Sequence, residues 1–173
     1  MNKINFVVFL IAGLQVAGIE MWQNDYDQRL YYTCSGRDSI SMITSKHDNG
    51  REDRVWDFSC KQSFDSFSEC FWSPYVNWFD EVFIFSCPSN YIISGMESYH
   101  ENKYEDRRWK FKCCRVNNYC NYNCLWTPFV NNFDEQFTWH VPHLNYLAGA
   151  GSYHANMQED RRWRYKYCAR RSC

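Results

Sequence analysis

Glu105-Asp106-Arg107-Arg108-Trp109-Lys110-Phe111 is one of three copies of a single stretch. It returns as Glu52-Asp53-Arg54-Val55-Trp56-Asp57-Phe58 and as Glu159-Asp160-Arg161-Arg162-Trp163-Arg164-Tyr165. Each copy follows the same lead-in: Ser45-Lys46-His47-Asp48-Asn49, Ser98-Tyr99-His100-Glu101-Asn102 and Ser152-Tyr153-His154-Ala155-Asn156. The unit therefore reads S-x-H-x-N-x-x-E-D-R-x-W-x-[FY]. Asp53 and Asp106 are 53 residues apart, Asp106 and Asp160 are 54 apart. A fixed period marks one supersecondary unit used repeatedly. With the motif as a ruler, the repeats span about 19–61, 70–115 and 124–169. The linkers between them are too short to separate domains, so one domain over 19–173 is expected.

The N-terminal residues read as a secretory signal. Lys3 precedes the apolar run Phe6 to Leu14, and Val16 and Gly18 are the small residues of a cleavage site, so residues 1–18 are expected to be removed. The run is shorter than the roughly 20 residues a membrane-spanning helix needs, and no second one follows. The protein is therefore expected outside the cell. Ten cysteines in a secreted chain imply a disulfide framework. A net charge of −1 argues against nucleic acid as a partner, so electrostatic recognition must be local. Aromatic residues make up 20% of the chain, enough for aromatic core layers, exposed sugar platforms or both.

Unit two shows the strands most clearly. Val82 to Cys87 is rich in β-branched and aromatic residues and ends at Pro88-Ser89-Asn90. Tyr91 to Ser98 is a second strand with Gly95 as a bulge, His100 to Glu105 a polar loop, and Asp106 to Arg115 a third strand. Phe71 to Asp80, interrupted by Pro74, is expected as an irregular edge strand. Four strands per unit give about twelve. The fold expected is all-β with pseudo-threefold internal symmetry, of β-trefoil or β-prism type.

Alternation along the third strand separates two faces. Trp109, Phe111 and Cys113 share one; Arg108, Lys110, Lys112 and Cys114 share the other. Unit three repeats this with Trp163, Tyr165 and Tyr167 against Arg162, Arg164, Lys166 and Cys168. In unit one Trp56, Phe58 and Cys60 face away from Val55, Asp57 and Ser59. The aromatic face is assigned to the core. The basic face is then solvent-side in units two and three and missing from unit one.

The repeat register also sorts the cysteines. Cys34 aligns with Cys87 and Val141, and Cys60 aligns with Cys113 and Tyr167. Both sulfurs are present in two units and both are absent from the third, which pairs Cys34 with Cys60 and Cys87 with Cys113. Cys70 aligns with Cys124, and Cys114 with Cys168, which pairs Cys70 with Cys114 and Cys124 with Cys168. Cys120 and Cys173 remain for each other. An exchange of partners between the neighbours Cys113 and Cys114 is the open alternative.

The triplicated D-R-x-W-x-[FY] strand, the L-Y-Y-T-C and V-F-I-F-S-C strands and the vicinal Cys113-Cys114 together resemble the dermatopontin family, and within it the invertebrate members that agglutinate cells. The resemblance spans the mature chain. It implies a secreted, non-enzymatic adhesive protein, whose vertebrate relatives bind proteoglycans and collagen-associated partners. It also implies that tyrosines can be sulfated, with Tyr26 and Tyr104 as the acid-flanked candidates.

Two sets of residues are candidate ligand contacts. His47, Asn49, His100, Asn102, His154 and Asn156 lie in the expected loops, where binding residues concentrate. Arg108, Lys110, Lys112, Arg162, Arg164 and Lys166, with Arg170 and Arg171 near the end, form basic strips suited to sulfate or phosphate groups. A solvated face is the plainer reading of those strips. The triples Asp53-Arg54-Trp56, Asp106-Arg107-Trp109 and Asp160-Arg161-Trp163 read as fold-defining, each Arg pairing with an acid across the hairpin. A threefold axis that gathered the three histidines would make a metal site. Zinc ligands usually arrive at short recognisable spacings, so no metal and no cofactor are assigned. No H-E-x-x-H, no G-x-S-x-G and no nucleophile beside a base is present, so no catalysis is expected. The function expected is multivalent binding of cell-surface glycans, glycosaminoglycans or anionic lipid head groups, in cell aggregation or innate defence. The alternative is a structural matrix protein that binds proteoglycans and collagen without sugar specificity.

Overall fold

The computed structural model describes residues 21–66 and 68–173; the signal segment at 1–18 lies outside them. Every regular element in the described residues is a strand: β1 Leu30–Thr33, β2 Asp38–Asp48, β3 Asp53–Gln62, β4 Glu69–Trp72, β5 Phe83–Ser86, β6 Ile92–Glu101, β7 Asp106–Arg115, β8 Tyr119–Trp126, β9 Phe137–His140, β10 Asn145–Ala155 and β11 Asp160–Ser172. None of the described elements is a helix long and apolar enough to cross a membrane.

Three long hairpins carry the repeated motif: β2–β3, β6–β7 and β10–β11. Each is widened by a short strand from the unit before it. β1 of unit one pairs with β6, β5 of unit two with β10, and β9 of unit three with β2, all antiparallel. The exchange is cyclic, so no unit completes its sheet alone. β4 and β8 add a fourth strand to the second and third hairpins. Their counterpart in unit one falls on residues 16–19, outside the described residues. Eleven strands are therefore described where about twelve were expected.

A register shift occurs at the same place in every hairpin, between Ile40 and Met42, Ile93 and Gly95, and Leu147 and Gly149. Gly95 is required by close approach. A Cβ built there would lie 2.7 Å from the Tyr32 carbonyl oxygen, on the strand that unit one contributes.

Phe71 to Asp80 is a strand only in its first two residues. Pro74 has no N–H for a ladder, and beyond it a side chain takes over that role. Asn77 donates to the Arg107 carbonyl at 3.0 Å and accepts from the Trp109 N–H at 2.9 Å. Asn24 and Asn131 do the same for Trp56 and Trp163. All three asparagines are buried.

The core is centred on Trp56, Trp109 and Trp163, each at most 1% exposed. Their rings meet edge to face with centroids 5.0, 5.1 and 4.7 Å apart, the geometry the ring quadrupole favours. Phe58, Phe111 and Tyr165 pack beside them in the same main core. Five disulfides join Cys34 to Cys60, Cys70 to Cys114, Cys87 to Cys113, Cys120 to Cys173 and Cys124 to Cys168. Cys34–Cys60 and Cys87–Cys113 link each exchanged strand back to the hairpin of its own unit, across two sheets. Cys70–Cys114 lies between directly paired residues of β4 and β7. Cys114, expected beside the basic residues, is 1% exposed in a second apolar cluster with Phe64, Ile92 and Val116. The chain after β3 folds back to place Phe64 over that face.

Candidate functional site

The D-R-x-W motif builds a ring of ion pairs between units. Arg107 takes Asp53, Arg161 takes Asp106, and Arg54 takes Asp160. Each contact is bidentate, Nε to Oδ1 and Nη2 to Oδ2, at 2.6–2.7 Å. The acid therefore lies in a neighbouring repeat, and the pairing across a single hairpin expected from the sequence is corrected. Strand exchange explains it, because each exchanged strand draws the next unit against the tip of the previous one. A second donor reaches every aspartate: the backbone N–H of Asp27, Asp80 and Asp134 bonds Oδ2 of Asp53, Asp106 and Asp160 at 2.8–2.9 Å. Each arginine also donates to a carbonyl, of Gln28, Glu81 or Glu135. These carboxylates and guanidiniums are buried and bonded to one another across the unit boundaries, so they hold the units together.

The histidines were expected in loops, as candidate ligand contacts. They lie near the ends of β2, β6 and β10, with side chains only 1% exposed. Asn49, Asn102 and Asn156 are exposed in the turns beyond. The three imidazoles do not share one site. His47 faces Asp134, His100 faces Asp27 and His154 faces Asp80, each across a boundary between units. Those aspartates close a repeated stretch that the sequence reading passed over: Asn24-Asp25-Tyr26-Asp27, Asn77-Trp78-Phe79-Asp80 and Asn131-Asn132-Phe133-Asp134. The shared N-x-[FY]-D was the available signal. Its asparagine replaces ladder bonds, and its aspartate sits at a left-handed φ of 63° in all three copies.

A small pocket of about 20 Å³, room for one water-sized molecule, is bounded by the three tryptophans, the Asp–Arg ring and Glu52, Glu105 and Glu159. Burial raises the Glu105 and Glu159 carboxyls above their ordinary value, and repulsion from Glu52 adds to it.

The basic strips are half-buried, which corrects the open solvent face expected. The irregular segments after β4 and β8 cross them and lay aromatic rings on the cations. Arg108 lies 3.9 Å from the Trp78 ring centroid and 4.7 Å from that of Tyr75, and donates to the Asn77 carbonyl. Lys110 stands over Tyr75 and pairs with Glu97 at 3.6 Å; Lys112 bonds Thr33. In unit three Arg162 lies over Phe129 and donates to the Asn131 carbonyl. Arg164 lies over Trp126 and Phe129, and Lys166 reaches Ser86. The two faces differ in charge. Gly151 occupies the register position that Glu97 holds in unit two, opposite Arg164. Among the described residues Arg162, Arg164 and Lys166 make no ion pair. Arg170 belongs elsewhere: it is packed among Phe64, Tyr119 and Tyr146, and burial lowers its pKa. Of the aromatic rings laid on the cations, Trp78 is the most open, at 55% exposure. Tyr104 stacks on Phe79 at 4.7 Å and keeps an accessible edge.

Three inter-unit seams, a tryptophan centre and two cation–aromatic faces accompany a family model described as Dermatopontin, which matches residues 24–173. The chain belongs to the dermatopontin family. Among curated relatives it is 39% identical to the hemagglutinin/amebocyte aggregation factor of Limulus polyphemus, over the full length of both chains. It is 38% identical to Millepora cytotoxin-1 of Millepora dichotoma, covering 84% of this chain and 65% of that one. To the dermatopontin of Biomphalaria glabrata it is 34% identical, covering 79% of this chain and 92% of that one. No solved structure matches this dermatopontin-family chain.

Proposed function

We propose that this protein is a secreted adhesive that agglutinates cells by binding their surface glycans or anionic groups at more than one place. The observation that carries this reading is the unit-three face, where among the described residues Arg162, Arg164 and Lys166 have no carboxylate partner, and the two arginines lie against Trp126, Phe129 and Tyr153. Guanidinium donors suit sulfate and carboxylate oxygens, and a flat ring beside them suits the apolar face of a sugar. Unit two offers a second, weaker face through Trp78, Tyr75, Arg108 and Lys112, with Lys110 already neutralised by Glu97. Two modest sites on one rigid body crosslink multivalent surfaces without high single-site affinity.

The name of the Limulus relative agrees with this role. The protein is non-enzymatic, in keeping with its family. The cyclic exchange of strands supports a pseudo-threefold fold of β-trefoil or β-prism type, in one domain over 19–173 that follows a cleaved signal at 1–18. The matrix reading is favoured by a different feature, the exposed apolar side chains of Val82, Ile84 and Leu125, which suit protein partners.

A glycan array probed at graded salt, with and without chelator, tests the proposal. Sulfated or acidic glycans should be retained at low salt and released as salt rises, because exposed charges are screened. An array without hits, beside strong capture of collagen or proteoglycan core protein, would replace it with the matrix reading.

A further inference from the structure

We propose that two of the seams between units are binding sites for a divalent transition-metal cation, with Zn²⁺ the best fit. One is formed by Asp27, Asp53 and His100, the other by Asp80, Asp106 and His154. In each, one donor atom from every residue lies within 4.8 Å of the other two.

The buried imidazoles point to a ligand. The side chains of His100 and His154 are each 1% exposed, and among the described residues none of their four ring nitrogens has a hydrogen-bond partner. Oδ1 of Asp27 is also buried without one. Leaving such groups unsatisfied is costly, and at the first site the orphaned Asp27 oxygen faces the orphaned imidazole. Nδ1 of His100 is 3.5 Å from Asp27 Oδ1, and Nδ1 of His154 is 3.4 Å from Asp80 Oδ1. Hydrogen bonds from N–H to O are shorter than this, at roughly 2.7–3.2 Å. Two ligands on one tetrahedral zinc, with bonds of about 2.0–2.2 Å, stand about 3.3–3.6 Å apart.

The other ring nitrogen supports the same assignment. Nε2 of His100 lies 3.4 Å from Glu105, and Nε2 of His154 lies 3.7 Å from Glu159. A metal-bound histidine commonly turns its second N–H toward a carboxylate, which fixes the tautomer and strengthens the ligand. The third ligand has capacity left. A carboxylate offers about four lone-pair positions; Asp53 uses three, for Arg107 Nε, Arg107 Nη2 and the Asp27 N–H. Charge agrees as well. At the second site Asp80, Asp106 and Glu159 are balanced by Arg161 and a divalent ion, whereas an imidazolium in its place leaves one negative charge over. At the first site the exposed Arg51, 3.7 Å from Asp27, contributes in addition.

The unit-one seam holds the same residue types, His47, Asp134 and Asp160, and differs in the way that matters. Nδ1 of His47 is 3.0 Å from Asn49 Oδ1, and its Nε2 is 3.2 Å from the Glu159 carbonyl oxygen. Both nitrogens therefore already have a polar neighbour within hydrogen-bond distance, unlike those of His100 and His154. The stoichiometry inferred is therefore two, where the sequence motif alone suggests three.

The test is equilibrium dialysis of the disulfide-intact protein against Zn²⁺, followed by elemental analysis. Two tightly held equivalents are expected. His100→Asn and His154→Asn should each lose one and the double variant both, while replacing the exposed His140 and His143 should change nothing. Should the histidine variants fail to fold, Glu105→Gln and Glu159→Gln leave every ligand in place and should weaken zinc binding about 10–100-fold. No tightly held zinc in the wild-type protein overturns the proposal. So does zinc that survives the double histidine variant, or affinity untouched by the glutamate variants.

Discussion

Arg107 grips Asp53 across the boundary between two repeats, with both contacts at 2.6 Å and both side chains at most 4% exposed. The same grip recurs at the other two boundaries, so the D-R-x-W strand closes the ring of units. Removing one partner strands a buried charge. Arg107→Leu or Asp53→Leu should therefore cost about 3–5 kcal/mol in urea unfolding. Arg107→Lys should recover little, because an ammonium cannot reproduce the bidentate fork. A loss below about 1 kcal/mol in either leucine variant would show that the pair does not hold the units.

Gly95 supplies a second check on strand exchange. Alanine there would bring Cβ to 2.7 Å from the Tyr32 carbonyl, a backbone atom that moves only if β1 moves. Gly95→Ala should cost about 1–3 kcal/mol, the range for overpacking, and should loosen β1 in hydrogen exchange. Gly50 is exposed in a turn with a flexible side chain nearby, so Gly50→Ala should be close to neutral.

The disulfides that cross between sheets should matter more than the one at the chain end. Replacing Cys87 and Cys113 together by alanine should cost about 2–5 kcal/mol. Cys120–Cys173 ties down only the exposed last residue and the start of β8, so its removal should lower the melting temperature less. Differential scanning calorimetry of the two double variants gives the order directly.

Acid should favour the pocket glutamates. Burial raises the folded pKa of Glu105 and Glu159 above 4.5. A carboxyl raised in this way contributes stability below its unfolded pKa and loses it as pH climbs through the folded one. With chelator present, Glu105→Gln/Glu159→Gln should match the wild type below about pH 4 and become relatively more stable above it. Urea unfolding at stepped pH measures this, and a variant that loses ground as pH rises would contradict it.

The all-β class was legible because hairpin residues carry their own signal. Val82 to Cys87, Tyr91 to Ser98 and Asp106 to Arg115 alternate and are bounded by turn residues, and β5, β6 and β7 lie on them. Cys34 and Cys60 vanish together from unit three, where Val141 and Tyr167 stand, and correlated loss of that kind marks a pair. What escaped depends on contacts between units. Asp53 in its own hairpin gives no hint that its arginine comes from the next repeat. His100 in a polar stretch looks solvated until strand exchange lays Asp27 against it. Nothing in the sequence places Trp78 and Phe129 against the basic residues until Asn77 and Asn131 pin their segments across those faces.

The central claim is that cationic–aromatic faces on two units bind surface anions and so crosslink cells. It is tested most directly by the agglutination titre of a variant with Lys110, Lys112, Arg164 and Lys166 changed to alanine. These residues leave the Asn77 and Asn131 carbonyls to Arg108 and Arg162, so the melting temperature should hold. The titre should fall at least about tenfold, the loss expected when multivalent avidity is removed. A variant that folds normally and agglutinates like the wild type would contradict the account.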